Sequence, residues 1–419
     1  MNTYQTEQYD DYKIQNMGAI RLAIQKRINQ GKKHFSIFPM GFWGKETKSM
    51  LENEFHIKPK VCFDNNSFDS QAVCSVNMIE RIDLSDIVFL VAVEKEDTRG
   101  QLYQQIAPFV RDEQIELIPL LNAEQKKIFE SSEKIHLDFL CAGFHKCATT
   151  SLHAALRLNK NVFLPQVKET FFLMSVTKGS HEKFRQSYLD VKSKGFPVLV
   201  GGIEPTYPFF CASVYHYFGG DLKLLFLVRN PVEALKSAFK MSMREVGEWE
   251  LFLIQKYGKI CPELMKEYIE INYRRFVYTD FIQMYERFYP QSQIKIVLTE
   301  ELLQNPLEQM DKIQAFIGLP KEDRIAYRDF LHENKGDNIF KSLGDAYVNN
   351  VLNRLRMSVN DASLYLQINE IRKKVLEITT EPFNFDEYED IWKGTYGLYE
   401  KSVTALEKRI GRSLKGIWY

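Results

Sequence analysis

One short run of sequence constrains the fold more than any other feature. Residues 136–141 have the apolar character of a buried strand, and residues 149–158 have the spacing of a helix. A tight, Gly-containing loop joins them, so its backbone N–H groups can face one point beside the positive end of the helix dipole. The run therefore predicts a parallel α/β sheet flanked by helices, with an anion site at the end of one strand.

The loop carries the side chains that an anion site needs. Lys146 supplies a full positive charge, and the hydroxyls of Thr149, Thr150 and Ser151 can donate hydrogen bonds. A nucleotide kinase would place its Lys directly before the hydroxyl that holds Mg²⁺. Here Lys146 precedes Thr149 by three residues, and no acidic metal partner follows a nearby strand. A P-loop kinase is therefore the weaker alternative.

A second candidate phosphate site lies further along the chain. The apolar run 224–228 ends at Arg229, and Pro231 suits the first turn of a following helix. The planar guanidinium of Arg229 fits a phosphate, and Ser237 follows about two turns into the helix. Ser237 can share the pocket only if that helix runs past the ligand.

Together these segments resemble the sulfotransferases that use 3′-phosphoadenosine 5′-phosphosulfate (PAPS), and are closer to the carbohydrate and bacterial members. The resemblance covers about residues 135–419 and implies the three-layer, P-loop-like sulfotransferase fold. The family's 5′-phosphosulfate loop has Lys, a small residue, Gly, Thr and Thr in that order, and Ala148 stands in the Gly place. Ala is compatible with that place if its φ is negative. By resemblance, the donor is bound by Gly143, His145, Lys146, Cys147, Ala148, Thr149, Thr150, Ser151, Arg229, Ser237, Lys335 and Gly336.

The same resemblance implies roles for catalytic residues. The segment beginning at Lys168 is similar to the family's Lys-Glu-x-x-Phe-Phe motif, although its aromatic pair comes one residue earlier. Glu169 is then the candidate base, Lys168 a second sulfonate contact, and Lys146 the group at the bridging oxygen of the leaving group. His145 and His153 are rival bases. Substrate-binding positions on the acceptor side are Glu204 and Tyr207.

The first part of the chain lies outside this resemblance. Helix-like and strand-like periods alternate before residue 122, and they predict a small Rossmann-like α/β domain over residues 1–133, with the sulfotransferase domain over 134–419. Gly41 and Gly44 form only a fragment of a dinucleotide fingerprint, so no ligand is assigned to this domain. At the other end, a final helix is predicted to run to Trp418.

The charge and composition of the chain restrict the kinds of partner and the location that can be expected. Lys plus Arg and Asp plus Glu both number 55, so no overall field attracts nucleic acid. Six scattered cysteines, no signal-peptide pattern and no apolar run of about 20 residues predict a cytoplasmic protein without a transmembrane segment. The resemblance implies a reaction that converts PAPS to PAP without a metal and sulfates a hydroxyl acceptor. The implied acceptor is a carbohydrate of a surface polysaccharide or glycolipid, with peripheral contact to a membrane-linked glycan. A non-catalytic PAP-binding module is the other alternative, and no oligomeric state is predicted.

Overall fold

The computed structural model describes residues 3–65, 73–121, 123–174, 176–189, 198–327, 338–359 and 362–419. The chain divides into two compact units. The first comprises Met1–Lys134 and Phe209–Tyr217, and the second comprises Ile135–Pro208 and Phe218–Tyr419.

The strands are β1 (His34–Ile37), β2 (Val61–Asp64), β3 (Cys74–Ser75), β4 (Ile87–Val93), β5 (Ile115–Pro119), β6 (Phe139–Gly143), β7 (Val162–Phe163), β8 (Leu199–Ile203), β9 (Lys223–Val228), β10 (Ile294–Leu298), β11 (Asn338–Phe340) and β12 (Thr380–Pro382). The helices are α1 (Thr3–Asn29), α2 (Phe42–Asn53), α3 (Glu96–Ile106), α4 (Ala123–Phe129), α5 (Thr149–Arg157), α6 (Lys178–Gln186), α7 (Cys211–Phe218), α8 (Pro231–Glu245), α9 (Glu248–Tyr257), α10 (Pro262–Asn272), α11 (Tyr278–Glu286), α12 (Thr299–Gln304), α13 (Pro306–Ile317), α14 (Leu343–Ser358), α15 (Ala362–Thr379), α16 (Glu389–Gly394) and α17 (Glu400–Ile410).

The first unit is built on a parallel sheet with the strand order β3-β2-β1-β4-β5. The central strand β4 is almost continuously apolar and buried, as expected for a strand that is covered on both faces. The order is that of an open, doubly wound sheet. A parallel α/β sheet in this part of the chain therefore agrees with the sequence pattern.

A short segment from later in the chain completes the first unit. The carboxylate of Glu96 accepts hydrogen bonds from the backbone N–H groups of Ala212, at 2.5 Å, and Ser213, at 3.0 Å, at the start of α7. Gly100 on α3 leaves room for Phe209, because a Cβ atom there would lie 2.1 Å from the ring. Residues 209–217 thus depend on α3 for both polar and apolar contacts.

The second unit contains a parallel sheet with the order β10-β9-β6-β8-β7. Strand β6 is fully buried in the middle, and β9 is its direct neighbour. Because the strands are parallel, their carboxyl ends lie at one edge of the sheet. The segments after β6 and β9, which carry the two predicted phosphate sites, are therefore adjacent.

The C-terminal part departs from the sequence prediction at one point. Helix α17 ends at Ile410, because Gly411 takes a left-handed conformation with φ +72° and closes the helix. The prediction of a helix running to Trp418 is therefore wrong, although Leu414 and Trp418 are both buried. Within the described ranges, no helix combines the length and the apolar character needed to cross a bilayer.

Candidate active site

A cavity of about 1210 Å³ lies in the second unit, where the loop after β6 meets α8, α14 and α15. Its wall carries eight Lys and Arg side chains but only four Glu side chains, whereas the whole chain has equal numbers of basic and acidic residues. The lining residues therefore give the cavity a local excess of positive charge, as an anion site requires. The predicted site residues on its wall are His145, Lys146, Ala148, Thr149, Thr150, Ser151, Lys168, Glu169, Arg229 and Ser237.

The loop after β6 owes its shape to two residues in the left-handed region. Lys146 has φ +62° and Ala148 has φ +60°. Ala148 therefore does not meet the condition of a negative φ under which Ala fits this place without strain, and a methyl-bearing residue there costs roughly 1 kcal/mol relative to Gly. Ala148 is the N-cap residue of α5, and its methyl side chain cannot accept a hydrogen bond from the first N–H groups of the helix. Those groups, together with Lys146, can bind an anion.

Two buried side chains hold this loop in place. The hydroxyl of Thr299 donates to the carbonyl oxygen of Cys147 at 3.1 Å, and the Cys147 thiol lies 3.6 Å from the hydroxyl of Tyr278. Gly143 is buried in β6, where a Cβ atom would approach Pro208 to 3.2 Å. The thiol of Cys147 therefore faces the protein interior, and only its backbone is suited to contact a ligand.

Helix α8 runs along the cavity, as the position of Ser237 requires. Asn230 caps the helix, accepting from the N–H group of Val232 at 3.0 Å, and its own N–H donates to Glu300 at 2.8 Å. Arg229 precedes this cap and lies on the cavity wall with Ser237. The structure therefore brings together the Arg and Ser that the sequence assigned to one phosphate.

Lys146 lies beside the middle of the same helix. Its ammonium group is 3.6 Å from the sulfur of Met241, one turn beyond Ser237. Burial and the charge of Arg244 lower the pKa of Lys146, against the opposing effect of Glu245. The ammonium group is thus positioned in a poorly hydrated place where a fixed charge interacts strongly.

The segment after β7 presents the predicted base to the cavity. Glu169 and Phe171 both have left-handed backbones, with φ +66° and +56°, and Glu169 forms an ion pair with Lys168. Burial raises the pKa of Glu169, but the charge of Lys168, its hydrogen bond to the carboxylate and the charge of Arg356 outweigh burial, and the pKa lies below its usual value. The carboxylate is therefore ionised at neutral pH.

Glu204 and Tyr207 lie beneath that segment, with both side chains buried. Glu204 accepts from the N–H and the hydroxyl of Thr170, at 2.7 and 2.5 Å, and the hydroxyl of Tyr207 accepts from the N–H of Leu173 at 3.0 Å. Instead of the acceptor contact that the sequence predicts, this geometry gives both residues a positioning role. Burial raises the pKa of Glu204 to about 7.

The two rival histidines have different environments. His145 is on the cavity wall, and burial lowers its pKa to about 4, so its imidazole is neutral at pH 7. His153 is buried, and its Nε2 lies 2.9 Å from the carbonyl oxygen of Pro165. Its ring therefore contacts the segment that leads to Lys168, and His145 is the better placed of the two beside Glu169. Lys335 and Gly336 lie outside the described residues.

A protein-family model described as the sulfotransferase domain matches residues 137–350, just over half of the chain. The chain belongs to the sulfotransferase family. The match begins just before β6 and extends into α14, so it includes the loop at Lys146 and the segment at Arg229.

Solved sulfotransferases are among the structures similar to this one. A sulfotransferase from Alicyclobacillus acidocaldarius is 18% identical, with a TM-score of 0.37, and the match covers 58% of this chain and 96% of that one. One from Mycobacterium avium is 12% identical, with a TM-score of 0.34, covering 46% and 66% of the two chains. A mouse sulfotransferase complexed with PAP is 14% identical, with a TM-score of 0.30, and the match covers 48% of this chain and 66% of that one. No curated protein matches the sequence.

The sulfotransferase cavity also contains residues that the sequence reasoning missed. The carboxylate of Glu245, at the end of α8, lies 2.7 Å from Arg372 and 3.1 Å from Arg244, and Arg356 is 3.9 Å away. We call these three arginines and Glu245 the arginine cluster. One feature of the sequence could have pointed to this side of the cavity. Five residues of α15 that line the cavity are spaced as one face of a helix, namely Tyr365, Asn369, Arg372, Lys373 and Leu376.

Proposed function

We propose that this sulfotransferase transfers a sulfuryl group from PAPS to a hydroxyl of an acceptor and releases PAP. The observation that carries the proposal is the pair of cationic sites at the ends of neighbouring strands, at Lys146 and at Arg229, on one cavity wall. A donor with phosphates at both its 5′ and 3′ ends needs two such sites. A simple phosphate ligand would need one.

The 5′ end of the donor suits the loop after β6. The N–H groups at the start of α5 and the hydroxyls of Thr149, Thr150 and Ser151 would donate to the phosphosulfate. Lys146 would stabilise negative charge on the bridging oxygen as the S–O bond breaks. Arg229 and Ser237 would bind the remote 3′-phosphate.

The transfer itself requires a hydroxyl aligned with the breaking bond and a group that takes its proton. Glu169 fits the second role because its carboxylate is ionised and lies on the cavity wall. Lys168, beside it, would contact the transferring sulfonate. Neutral His145 remains the alternative base, and the same wall allows either group to reach a bound hydroxyl.

A carbohydrate is the acceptor class we propose. Polar side chains of α8, α14 and α15 line the cavity, among them Ser242, Asn353, Tyr365 and Asn369, and such groups suit an acceptor with several hydroxyls. The resemblance of the Lys168–Glu169 segment to carbohydrate sulfotransferases supports the same class. A cytoplasmic site of action remains a prediction from the sequence.

Transfer of ³⁵S from labelled PAPS to a panel of glycans, measured in the presence of EDTA, tests the proposal. We expect sulfated product and stoichiometric PAP without added metal. Phosphorylation that depends on ATP and Mg²⁺ would favour the kinase alternative instead. Binding of PAP without any product from PAPS across the panel would indicate a non-catalytic module.

Steady-state kinetics of two variants can distinguish the two proposed donor sites. Lys146→Ala should abolish turnover, because its charge acts at the breaking bond. Arg229→Ala should mainly raise the KM for PAPS, because the 3′-phosphate is remote from that bond. Equal loss of kcat in both variants would contradict the assignment of the two ends.

A further inference from the structure

The ammonium group of Lys146 has a sulfur atom as its neighbour on α8. It lies 3.6 Å from the thioether of Met241, within reach of a weak hydrogen bond from nitrogen to sulfur. We propose that Met241 is a positioning residue, whose sulfur accepts this bond and holds the ammonium group where the leaving group of the donor is expected. The inference rests on the proposed function and adds a residue to its reaction.

Helix α8 gives Met241 a rigid support. Asn230 caps the first turn of the helix, and Phe239 and Met243 are fully buried on its core side. Met241 instead lies on the cavity wall, four residues after Ser237, so about 6 Å along the helix separates the two. Met241 is thus one turn away from the proposed contact with the 3′-phosphate.

The backbone at Lys146 is fixed, but its side chain is long. Lys146 has a left-handed backbone with φ +62°, and the next residue, Cys147, accepts a hydrogen bond from Thr299 at 3.1 Å. The four-carbon stem of a lysine is flexible, so a fixed backbone alone does not fix the ammonium group. A contact at the tip of the side chain supplies that restraint, and the transition state then requires less ordering.

A neutral acceptor suits this place better than a carboxylate. In poorly hydrated surroundings a carboxylate would bind the ammonium group strongly and would compete with the donor. The charges of Glu245 and Glu169 act to raise the pKa of the ammonium group, but each of these carboxylates contacts another cation. Glu245 lies 2.7 Å from Arg372 in the arginine cluster, and Glu169 is paired with Lys168. Among the residues that the structure describes, the thioether is the hydrogen-bond contact of the ammonium group.

The expected effect of this contact is on the chemical step. Lys146 is assigned to the bridging oxygen, which gains negative charge only as the S–O bond breaks. Binding of the donor relies on many other groups, including the N–H groups of the loop and Arg229. Loss of the contact should therefore lower kcat and leave the KM for PAPS nearly unchanged.

Substitution of Met241 tests the inference, with turnover measured as release of PAP from PAPS in the presence of the best acceptor of the glycan panel. Met241→Leu removes the sulfur and keeps an apolar side chain of similar volume, so kcat should fall about fivefold and the KM for PAPS should change less than twofold. Met241→Gln provides an oxygen acceptor and should recover part of kcat. The matched control is Met243→Leu, which should keep the wild-type kcat because Met243 is buried on the core side of the same helix.

A second background shows whether Met241 acts through Lys146. Lys146→Arg keeps the charge, but its planar guanidinium differs in reach and in donor geometry. If the sulfur acts by holding the ammonium group, Met241→Leu should change kcat less than twofold in the Lys146→Arg enzyme. Thermal unfolding of each variant checks that it folds.

Three results would overturn the inference: Met241→Leu keeps the wild-type kcat, Met241→Gln is no more active than Met241→Leu, or the fivefold loss persists in the Lys146→Arg background. A higher KM for PAPS with unchanged kcat would also overturn it, because Met241 would then contribute to donor binding alone. Failure of the wild-type enzyme to release PAP from PAPS would instead count against the proposed function. An active wild-type enzyme that tolerates Met241→Leu would remove only this inference.

Discussion

The hydroxyl of Thr299 donates a hydrogen bond to the carbonyl oxygen of Cys147 at 3.1 Å, and this bond joins the end of β10 to the phosphate loop after β6. The bond satisfies the carbonyl oxygen and fixes the backbone of the loop beside the cavity, whose wall includes Thr299. Under the proposed function, Thr299 would therefore act on the donor through the backbone of the loop.

Thr299→Val removes this bond while keeping the shape of the side chain. Since one such bond contributes about 1 kcal/mol, we expect the KM for PAPS to rise roughly fivefold with little change in kcat. Thr279→Val is the control, because Thr279 is equally buried and bonds Ser402 at 2.9 Å. A similar rise in the control would show that general destabilisation is the cause.

The choice between Glu169 and His145 as base can be made by substitution. Glu169→Gln keeps the size of the side chain but cannot accept a proton, so kcat should fall at least a hundredfold if Glu169 is the base. His145→Gln should then have the smaller effect. The reverse order, measured with saturating PAPS and acceptor, would assign the proton transfer to His145.

The pH dependence of the rate should report on Lys146. Because burial lowers its pKa, the charge is lost at lower pH than for an ordinary lysine, and kcat should decline on the alkaline side. Lys146→Arg should react more slowly, since the planar guanidinium differs in shape, but without that alkaline decline. A decline at the same pH in the variant would mean that another group titrates.

Glu204 should make stability depend on pH in an unusual direction. Its folded-state pKa of about 7 is above the ordinary value, so the folded state binds the proton more tightly and is favoured at low pH. This stabilisation is complete below about pH 4.5 and is lost as pH rises through about 7. The total is of the order of 3 kcal/mol.

Glu204→Gln should remove this pH dependence while keeping an oxygen that accepts from Thr170. Relative to wild type, the variant should become more stable as pH rises from 5 to 8, measured as the difference in unfolding temperature. A constant difference across that range would contradict the raised pKa.

Ala148→Gly should relieve the left-handed backbone of the phosphate loop. The gain is at most about 1 kcal/mol, because Gly also adds entropy to the unfolded chain. Ala154→Gly is the control in the middle of α5, where the same change should cost about 1 kcal/mol. Loss of stability in both variants, by thermal unfolding, would show that φ at Ala148 is not strained.

Local patterns predicted the sheet elements of the second unit well, because the strands are apolar runs that the sheet buries on both faces. The apolar run at residues 224–228 lies within β9, and the segment at Thr149 begins α5 as expected. The residues proposed to bind the donor were also close together in the sequence, since Lys146 lies in the loop that leads directly into Thr149 and Thr150 at the start of α5.

The acceptor side could not be predicted in the same way. Glu245 meets Arg372 across more than a hundred residues, and only the packing of α8 against α14 and of α14 against α15 brings them together. The conformation of Ala148 was likewise missed, because φ depends on how Thr299 and Tyr278 hold the loop. Glu204 is a further example. Its position in the sequence suggested contact with the acceptor, but in the structure its side chain is buried beneath the Lys168–Glu169 segment.

The hydrogen bonds from Ala212 and Ser213 to Glu96 affect where the chain can be cut into separate domains. The polypeptide leaves the sheet of the second unit after β8, contributes residues 209–217 to the first unit, and returns to the same sheet as β9. A fragment that starts at residue 135 would carry that segment without the helix that caps it. The two units are consequently interleaved in the primary structure, and domain shuffling that moved one without the other would have to rebuild the segment joining β8 to β9.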